Sequence, residues 1–184
     1  LPGRGYKHLL TKLEAEELRT SLGSKFKILV HRDRDSLTDA EVTQLKESYA
    51  SEGIRLWVTD QSDIEAEFCD PGYLSSLTGE SIETCEAWLT EIMAGNQAPI
   101  RDQFTSQRAA HNQELHQAGG SPTNDEVWVA FQGRPLKGAK GKYVFGQLKN
   151  KVPGGRFAEA KIGLHTGYPE RAASLKANLE DLLA

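Results

Sequence analysis

Two aspartates that follow an apolar run at residues 26–31 have the residue type and spacing of metal ligands. Asp33 and Asp35 stand two positions apart in the stretch HRDRDS. Residues two apart point the same way in extended chain, and two carboxylates in one crevice repel each other unless a cation or a proton intervenes. Hard oxygen ligands of this kind suit Mg²⁺ or Mn²⁺. The same pattern also fits a solvated loop in which an aspartate caps the next helix, so both interpretations stand.

A second acidic group follows the next apolar run, at residues 54–59. Asp63 and Glu65 come within a few residues of its end. If the two runs are parallel neighbours, their carboxyl ends meet at the edge of the sheet where ligands bind in open α/β folds. Up to four carboxylates could therefore meet there. Ser36 is either a further ligand or an ordinary turn residue.

The elements that would hold these residues form a βαβ unit. Residues 26–31 and 54–59 predict buried strands. Between them, Thr38 followed by Glu41 forms a capping box that opens a helix. Strand, helix and strand with short connections predict two parallel neighbouring strands. The fold class is therefore predicted as α/β, with a parallel sheet flanked by helices.

The rest of the chain is predicted to be mainly helical, with no internal repeat. We divide it into a core at 1–71, a helical insertion at 72–118 and a remainder of the core region with C-terminal helices at 119–184. The local predictions are a helix at 6–22, a short helix at 63–69 broken by Pro71-Gly72, a polar helical region at 73–118 interrupted by Gly95 and Pro99, an ambiguous strand or helix at 127–132, a helix at 143–152 and a terminal helix at 169–183.

Composition and cysteine content limit the classes of protein to which the chain can belong. The hydrophobic content of 38% and the charged content of 26% are ordinary for a globular domain. No apolar run is long enough to span a bilayer, and Cys69 and Cys85 fit neither a disulfide framework nor a zinc motif. We therefore expect a cytoplasmic protein that does not associate with membranes.

The charges of the chain are segregated along the sequence. Between Arg55 and Arg101 there are nine acids and no Lys or Arg, whereas residues 127–158 contain seven cations and no acid. The basic tract could follow a nucleic-acid backbone, or it could be a solvated flexible loop. The candidate DNA contacts in it are Arg134, Lys137, Lys149 and Lys151.

A run of Gly and Lys at residues 137–142, KGAKGK, lies within the basic tract. It does not match the phosphate-binding P-loop pattern, so ATP binding is not predicted there. Lys140 or Lys142 could reach a scissile phosphate and stabilise the charge of the transition state. The sequence does not choose between these two lysines.

The stretches ILVHRDRDSLTDAEV and LWVTDQSDIEAEF together resemble the TOPRIM domain of the OLD (overcoming lysogenization defect) nucleases, particularly their gene-paired class. The resemblance is specific over residues 24–70 and looser beyond. It implies a TOPRIM, Rossmann-like fold and Mg²⁺- or Mn²⁺-dependent DNA cleavage by one or two metal ions. Asp33 and Asp35 match the metal-binding Asp-x-Asp motif of the family, and Asp63 and Glu65 match its following acidic segment, with Glu65 the better ligand.

Further features follow only from this resemblance. It implies a lysine near the metals in a Gly-Lys run, a position that Lys140 and Lys142 both suit. It also implies an N-terminal ABC-type ATPase domain in the same polypeptide, a homodimer and a helicase partner. The family's earlier Glu-Gly-x-x-Asp motif is absent, so we expect the missing glutamate to come from a strand that precedes Leu1.

Two other functions remain open from the sequence. One is a different TOPRIM enzyme, of topoisomerase or primase type. A topoisomerase needs a nucleophilic tyrosine, and Tyr49, Tyr73 and Tyr143 lack supporting context. The other is a receiver-like module in which the acidic strand end binds Mg²⁺ for phosphorylation.

Overall fold

The computed structural model describes residues 10–23, 26–152 and 173–183, which form a mostly helical α/β structure. The strands are β1 (Leu29–Arg32) and β2 (Arg55–Val58). The helices are α1 (Lys12–Leu22), α2 (Asp39–Ser51), α3 (Pro71–Thr78), α4 (Ile82–Gly95), α5 (Gln97–Leu115), α6 (Asn124–Phe131), α7 (Pro135–Gly138), α8 (Gly141–Lys151) and α9 (Ala173–Leu183), with a 3₁₀ turn at Ala66–Phe68.

The chain divides into two compact units. Unit 1 consists of Leu1–Arg34, Thr38–Thr59 and Ala172–Ala184. Unit 2 consists of Asp35–Leu37 and Asp60–Arg171. The two aspartates of the predicted metal motif therefore belong to different units.

Unit 1 contains the predicted βαβ arrangement. β1 and β2 are parallel, with Leu29 opposite Arg55 and Arg32 opposite Val58. The predicted capping box of α2 is present, since the Glu41 N–H donates to Thr38 Oγ1 at 3.2 Å and the Thr38 N–H donates to Glu41 Oε2 at 2.8 Å. Prediction and structure agree on the type and order of these elements. The observed strands have four residues each, shorter than the six predicted.

The terminal helices of unit 1 also contact its βαβ core. α1 begins at Lys12 behind a capping box of Thr11 and Glu14, and the Arg19 guanidinium donates to the carbonyl oxygens of Glu52 and Gly53. α9 is joined to β2 by an ion pair of Arg55 and Asp181. The predicted starts of these two helices, at residues 6 and 169, lie outside the described residues.

Unit 2 refines two predictions about its helices. The 3₁₀ turn at Ala66–Phe68 ends before Pro71-Gly72, and Pro71 begins α3, where the Asp70 carboxylate accepts the Tyr73 N–H at 2.9 Å. Proline is favoured in the first turn of a helix because its missing N–H has no partner there. The ambiguous run at 127–132 belongs mainly to helix α6, which opens with a capping box of Thr123 and Glu126.

The predicted interruption at Gly95 and Pro99 lies at Asn96, between α4 and α5. Pro99 is accommodated in the first turn of α5. α3, α4 and α8 pack around a common apolar core. Its fully buried members include Tyr73, Leu74, Ile92, Phe145 and Leu148. Among the described helices, none is long and apolar enough to cross a membrane.

Candidate functional site

The carboxylate of Asp35 lies in a polar cluster within unit 2. Its side chain is 11% exposed, and its Oδ1 atom is paired with the ammonium group of Lys140. Gln107 of α5 donates to the same oxygen at 3.4 Å. On the other oxygen, His111 Nε2 lies 3.8 Å from Oδ2. Asp35 is therefore contacted both by the residue that precedes α8 and by α5.

The backbone around Asp35 is unusual. Its φ is 54°, in the left-handed region that a non-glycine residue seldom adopts. The Asp35 N–H donates to the carbonyl oxygen of Ser62, so the segment after β1 is bonded to the segment after β2. Aspartate tolerates this conformation better than most residues do. This backbone geometry gives the Asp35 side chain a direction that an extended Asp-x-Asp motif would not have.

Ser36 is completely buried beside Asp35. Its Oγ atom lies 2.8 Å from His111 Nδ1, and its carbonyl oxygen accepts from Arg108 Nη1 at 3.3 Å. Ser36 thus links the Asp35 segment to α5. A role in turn structure, one of the two predicted for Ser36, agrees with these contacts.

Asp63 is also buried and accepts hydrogen bonds from the backbone. Its Oδ1 atom accepts the N–H of Ala66 at 2.8 Å and that of Gly141 at 2.9 Å. Its Oδ2 atom also faces the Gly141 N–H, at 3.1 Å. Gly141 is the first residue of α8, where unpaired N–H groups and the helix dipole favour a carboxylate. Asp63 therefore joins the 3₁₀ turn to the start of α8.

The electrostatics of Asp63 reflect this burial. Desolvation raises the pKa of Asp63 to about 6, against the lowering effects of the Ala66 N–H and the Lys140 charge. Repulsion from Glu65 also contributes to this increase in the pKa. A carboxyl group whose ionisation is costly in this way gains from any additional cation placed beside it.

Gly141 permits the close approach that brings Lys140 to this cluster. A Cβ atom on Gly141 would overlap the backbone of Glu65 and Ala66. Only glycine fits at this point, so the Gly-Lys run is packed here rather than being a solvated flexible loop. Lys140 is 27% exposed in its side chain and contacts Asp35. Lys142 is exposed on α8.

The remaining predicted metal ligands have different surroundings. Glu65 is half-buried, and its charge raises the pKa of both Asp63 and Cys69, so its carboxylate lies near both. Asp33 belongs to unit 1, where its Oδ1 atom lies 3.4 Å from His31 Nε2. The His31 ring stacks on Trp57 with centroids 4.6 Å apart.

The predicted DNA-binding cations are not equivalent. Arg134 and Lys149 are exposed. Lys137 is only 7% exposed, because α7 turns this residue inward, and its predicted contact with DNA stays a prediction. Lys151 forms an ion pair with Glu91 of the acidic tract. The acidic and basic tracts therefore meet at that pair.

Sequence reasoning did not predict Gln107, Arg108 and His111 as members of the site. By spacing alone, His111 and His116 are five positions apart, which is poor for sharing a metal. The available signal was the apolar stripe of α5, in which buried Ile100 and Phe104 are followed at helical spacing by Arg108 and His111. Polar residues that continue a core-facing stripe indicate a buried polar cluster.

The carboxylates of this cluster can be compared with the ligands that a divalent cation requires. In the described ranges, no three His, Cys, Asp or Glu side chains are grouped as a protein-only metal cage. Mg²⁺, however, retains several waters and is commonly held by one or two carboxylates together with substrate phosphates. Asp35 and Asp63, which both interact with Lys140, suit this second mode. Glu65 is the further candidate ligand in unit 2.

Comparison with known proteins gives no assignment for this site. No protein-family model, curated protein or solved structure matches the chain.

Proposed function

We propose that the chain is the catalytic region of a metal-dependent DNA nuclease with a TOPRIM-type core. The observation that carries the proposal is the buried Asp35 carboxylate paired with Lys140. This pair lies beside Asp63, whose carboxyl pKa is raised to about 6. Two acids that follow the two parallel strands thus lie in one cluster with a cation. Carboxyl groups with a shifted pKa beside a specific charged partner often belong to functional sites. The parallel βαβ arrangement is compatible with a TOPRIM core.

The proposed reaction is hydrolysis of a phosphodiester bond. The oxygen of a water molecule forms a bond to phosphorus and the water gives up a proton, while the bond from phosphorus to the leaving sugar oxygen breaks and the leaving oxygen takes up a proton. A bound Mg²⁺ or Mn²⁺ would supply a water of lowered pKa and neutralise charge on the phosphate. Asp35 and Asp63, with Glu65 as a further candidate, would provide its carboxylate ligands, and the predicted metal-binding role of Asp33, in unit 1, stays a prediction.

Lys140 has a second task in this proposal. Its ammonium group neutralises Asp35 when no substrate is bound, and it would turn to a phosphate oxygen when DNA enters. An ammonium aimed at developing negative charge stabilises the transition state more than the ground state. The contact with Asp35 favours Lys140 over Lys142 for this role.

DNA would be held by cations outside the cluster. Arg134, Lys142 and Lys149 are exposed and suit contacts to a phosphate backbone. Lys151 would need to exchange its partner Glu91 for a phosphate group. Within the same proposal, the chain works in the cytoplasm, as part of a homodimer with an ABC-type ATPase domain in its own polypeptide and a helicase as partner.

The direct test is cleavage of a supercoiled plasmid with Mg²⁺ or Mn²⁺. The wild-type chain should produce nicked and linear DNA, and EDTA should stop the reaction. The double variant D33A/D35A should lose this activity, and its melting temperature is compared with that of the wild type. Variant Y143F, which removes the 2.7 Å hydrogen bond from Tyr143 Oη to Asn96 Oδ1, is the control because it lies outside the Asp35 cluster. Cleavage by D33A/D35A at the wild-type rate would contradict the proposal.

The same experiment separates the alternative functions. Relaxed closed circles instead of nicked products would indicate a topoisomerase. A receiver-like module is the second candidate, because the ammonium of Lys140 on Asp35 would equally neutralise a phosphoryl group carried by that carboxylate. Incubation with acetyl phosphate and Mg²⁺ would then add one phosphoryl group to the intact mass. A nuclease should show no such mass gain.

A further inference from the structure

His111 is a buried histidine for which the proposed reaction has not yet required a role. It is 2% exposed and lies on α5, among the residues that face the interior of unit 2. Its two ring nitrogens face two neighbouring residues of one segment. Nδ1 lies 2.8 Å from Ser36 Oγ, and Nε2 lies 3.8 Å from Asp35 Oδ2.

Of the two neutral tautomers of His111, these contacts favour one. If Nδ1 carried the only proton and donated it to Ser36, the lone pair of Nε2 would face the negative Asp35 carboxylate, which is repulsive. If the Ser36 hydroxyl donates to Nδ1, then Nε2 carries the proton and directs it at Asp35 Oδ2. The second arrangement satisfies Ser36 and gives a favourable interaction with the carboxylate.

We propose that His111 is a positioning residue for Asp35, with Ser36 fixing its tautomer. In this tautomer His111 Nε2 lies 3.8 Å from Asp35 Oδ2 and directs its N–H toward that oxygen, while Lys140 and Gln107 contact Oδ1. The effect on catalysis rests on the proposed nuclease function, whereas the geometry does not.

The neighbouring contacts of α5 support this role. Arg108, also fully buried, donates to the carbonyl oxygen of Ser36 at 3.3 Å and to Ser121 Oγ at 3.0 Å. The left-handed backbone of Asp35 is thus followed by a residue held through both its side chain and its carbonyl group. A carboxylate oriented from behind in this way presents a fixed oxygen to a cation, and loss of such an orienting residue typically costs about 10- to 100-fold in affinity or activity.

Two conservative variants separate the two contacts of His111. The carboxamide of H111N reaches roughly the position of Nδ1, so it keeps the bond to Ser36 and loses the contact with Asp35. The carboxamide of H111Q reaches roughly the position of Nε2, so it keeps a donor for Asp35. We expect H111N and H111A to lower kcat for plasmid nicking by about 10- to 100-fold with little change in KM, and H111Q to recover most of kcat.

A spectroscopic measurement tests the geometry without any activity. Long-range ¹H–¹⁵N spectra of the histidine side chains should show His111 as the tautomer protonated at Nε2. The variant D35N should shift the Nε2 and Hε2 signals of His111, whereas Y143F, the control used above, should leave them unchanged. Melting temperatures of all variants are compared with the wild type.

Several outcomes would overturn the inference. They are a His111 protonated only at Nδ1, His111 signals that do not respond to D35N, and kcat values that follow melting temperature with no recovery in H111Q. If H111A does not fold, the spectra of the wild type and D35N decide. A wild-type chain that cleaves no DNA would defeat the proposed function, while the spectra would still confirm or contradict the contact of His111 with Asp35.

Discussion

Asp33 and Asp35 are two positions apart, yet their surroundings differ. Asp33, in unit 1, is half-buried and has His31 Nε2 3.4 Å from its carboxylate. Asp35, in unit 2, is buried and contacts Lys140, Gln107 and His111. The sequence motif does not distinguish the two aspartates, whereas the tertiary contacts bury Asp35 beside Lys140 and leave Asp33 partly exposed. The charge partners and the burial of a carboxylate are therefore set by the elements that surround it.

The largest expected effect comes from replacing the two aspartates separately. D35N should lower the nicking rate by about 10³-fold, since it removes the negative charge that faces Lys140 and the proposed cation. D33N should cost about 10-fold, because its carboxylate is partly solvated. Rates under single-turnover conditions would measure both. A loss for D33N as large as that for D35N would remove the distinction between the two residues.

The lysines on either side of Gly141 give the next comparison. K140M should lower the single-turnover rate by about 10²-fold, because it removes the ammonium that contacts Asp35. K142M should change the rate by about threefold or less, since the Lys142 side chain is exposed. Equal losses in the two variants would show that the contact with Asp35 does not decide which lysine acts.

Two glycines of α8 test how closely the start of this helix packs against the backbone of Glu65 and Ala66. G141A should lower the free energy of unfolding by about 2–3 kcal/mol, because its Cβ would overlap the backbone of Glu65 and Ala66. G146A is the matched control, since a Cβ there meets nothing within 4 Å, and it should raise stability by about 0.5–1 kcal/mol through helix propensity. Urea unfolding measures both values. A G141A variant as stable as wild type would contradict the close approach.

The smallest effect concerns the pH dependence of stability. The pKa of Asp63 is raised from 3.8 to about 6 by burial, so between these values the folded chain binds more protons at this residue than the unfolded chain. The contribution of Asp63 to the free energy of unfolding therefore falls as pH rises from about 4 to 6, by on the order of 2 kcal/mol. In D63N this part of the pH dependence should disappear. Urea unfolding of both proteins at pH 4.5 and 7 would measure it, and parallel changes would contradict the assignment.

The local elements were largely predictable because they depend on short-range chemistry. The capping box of Thr38 and Glu41 and the two β-rich apolar runs predict α2, β1 and β2, and all three are present. The local pattern was less informative where a residue or a short run has two uses. Proline at position 71 ends one helix pattern but begins another, and the apolar run after Asp125 is too short to show a period.

The candidate site was predictable only in part. The acidic residues after the two strands and the Gly-Lys run stood out by type and spacing. The pairing of Lys140 with Asp35 joins residues more than one hundred positions apart, and no local pattern specifies such a contact. No local pattern predicts the contacts of His111, because its partners, Ser36 and Asp35, are equally remote along the chain.

By itself, the sequence determined the parallel strands, the helix between them and the acids that follow each strand, since hydrophobic period, caps and turn residues act over a few positions. Only the tertiary structure decided that Asp35 is buried against Lys140, that Asp63 caps α8 and that Lys137 is turned inward. The reason is physical, because burial, charge pairing and the raised pKa of Asp63 depend on distances between segments that are far apart in the chain.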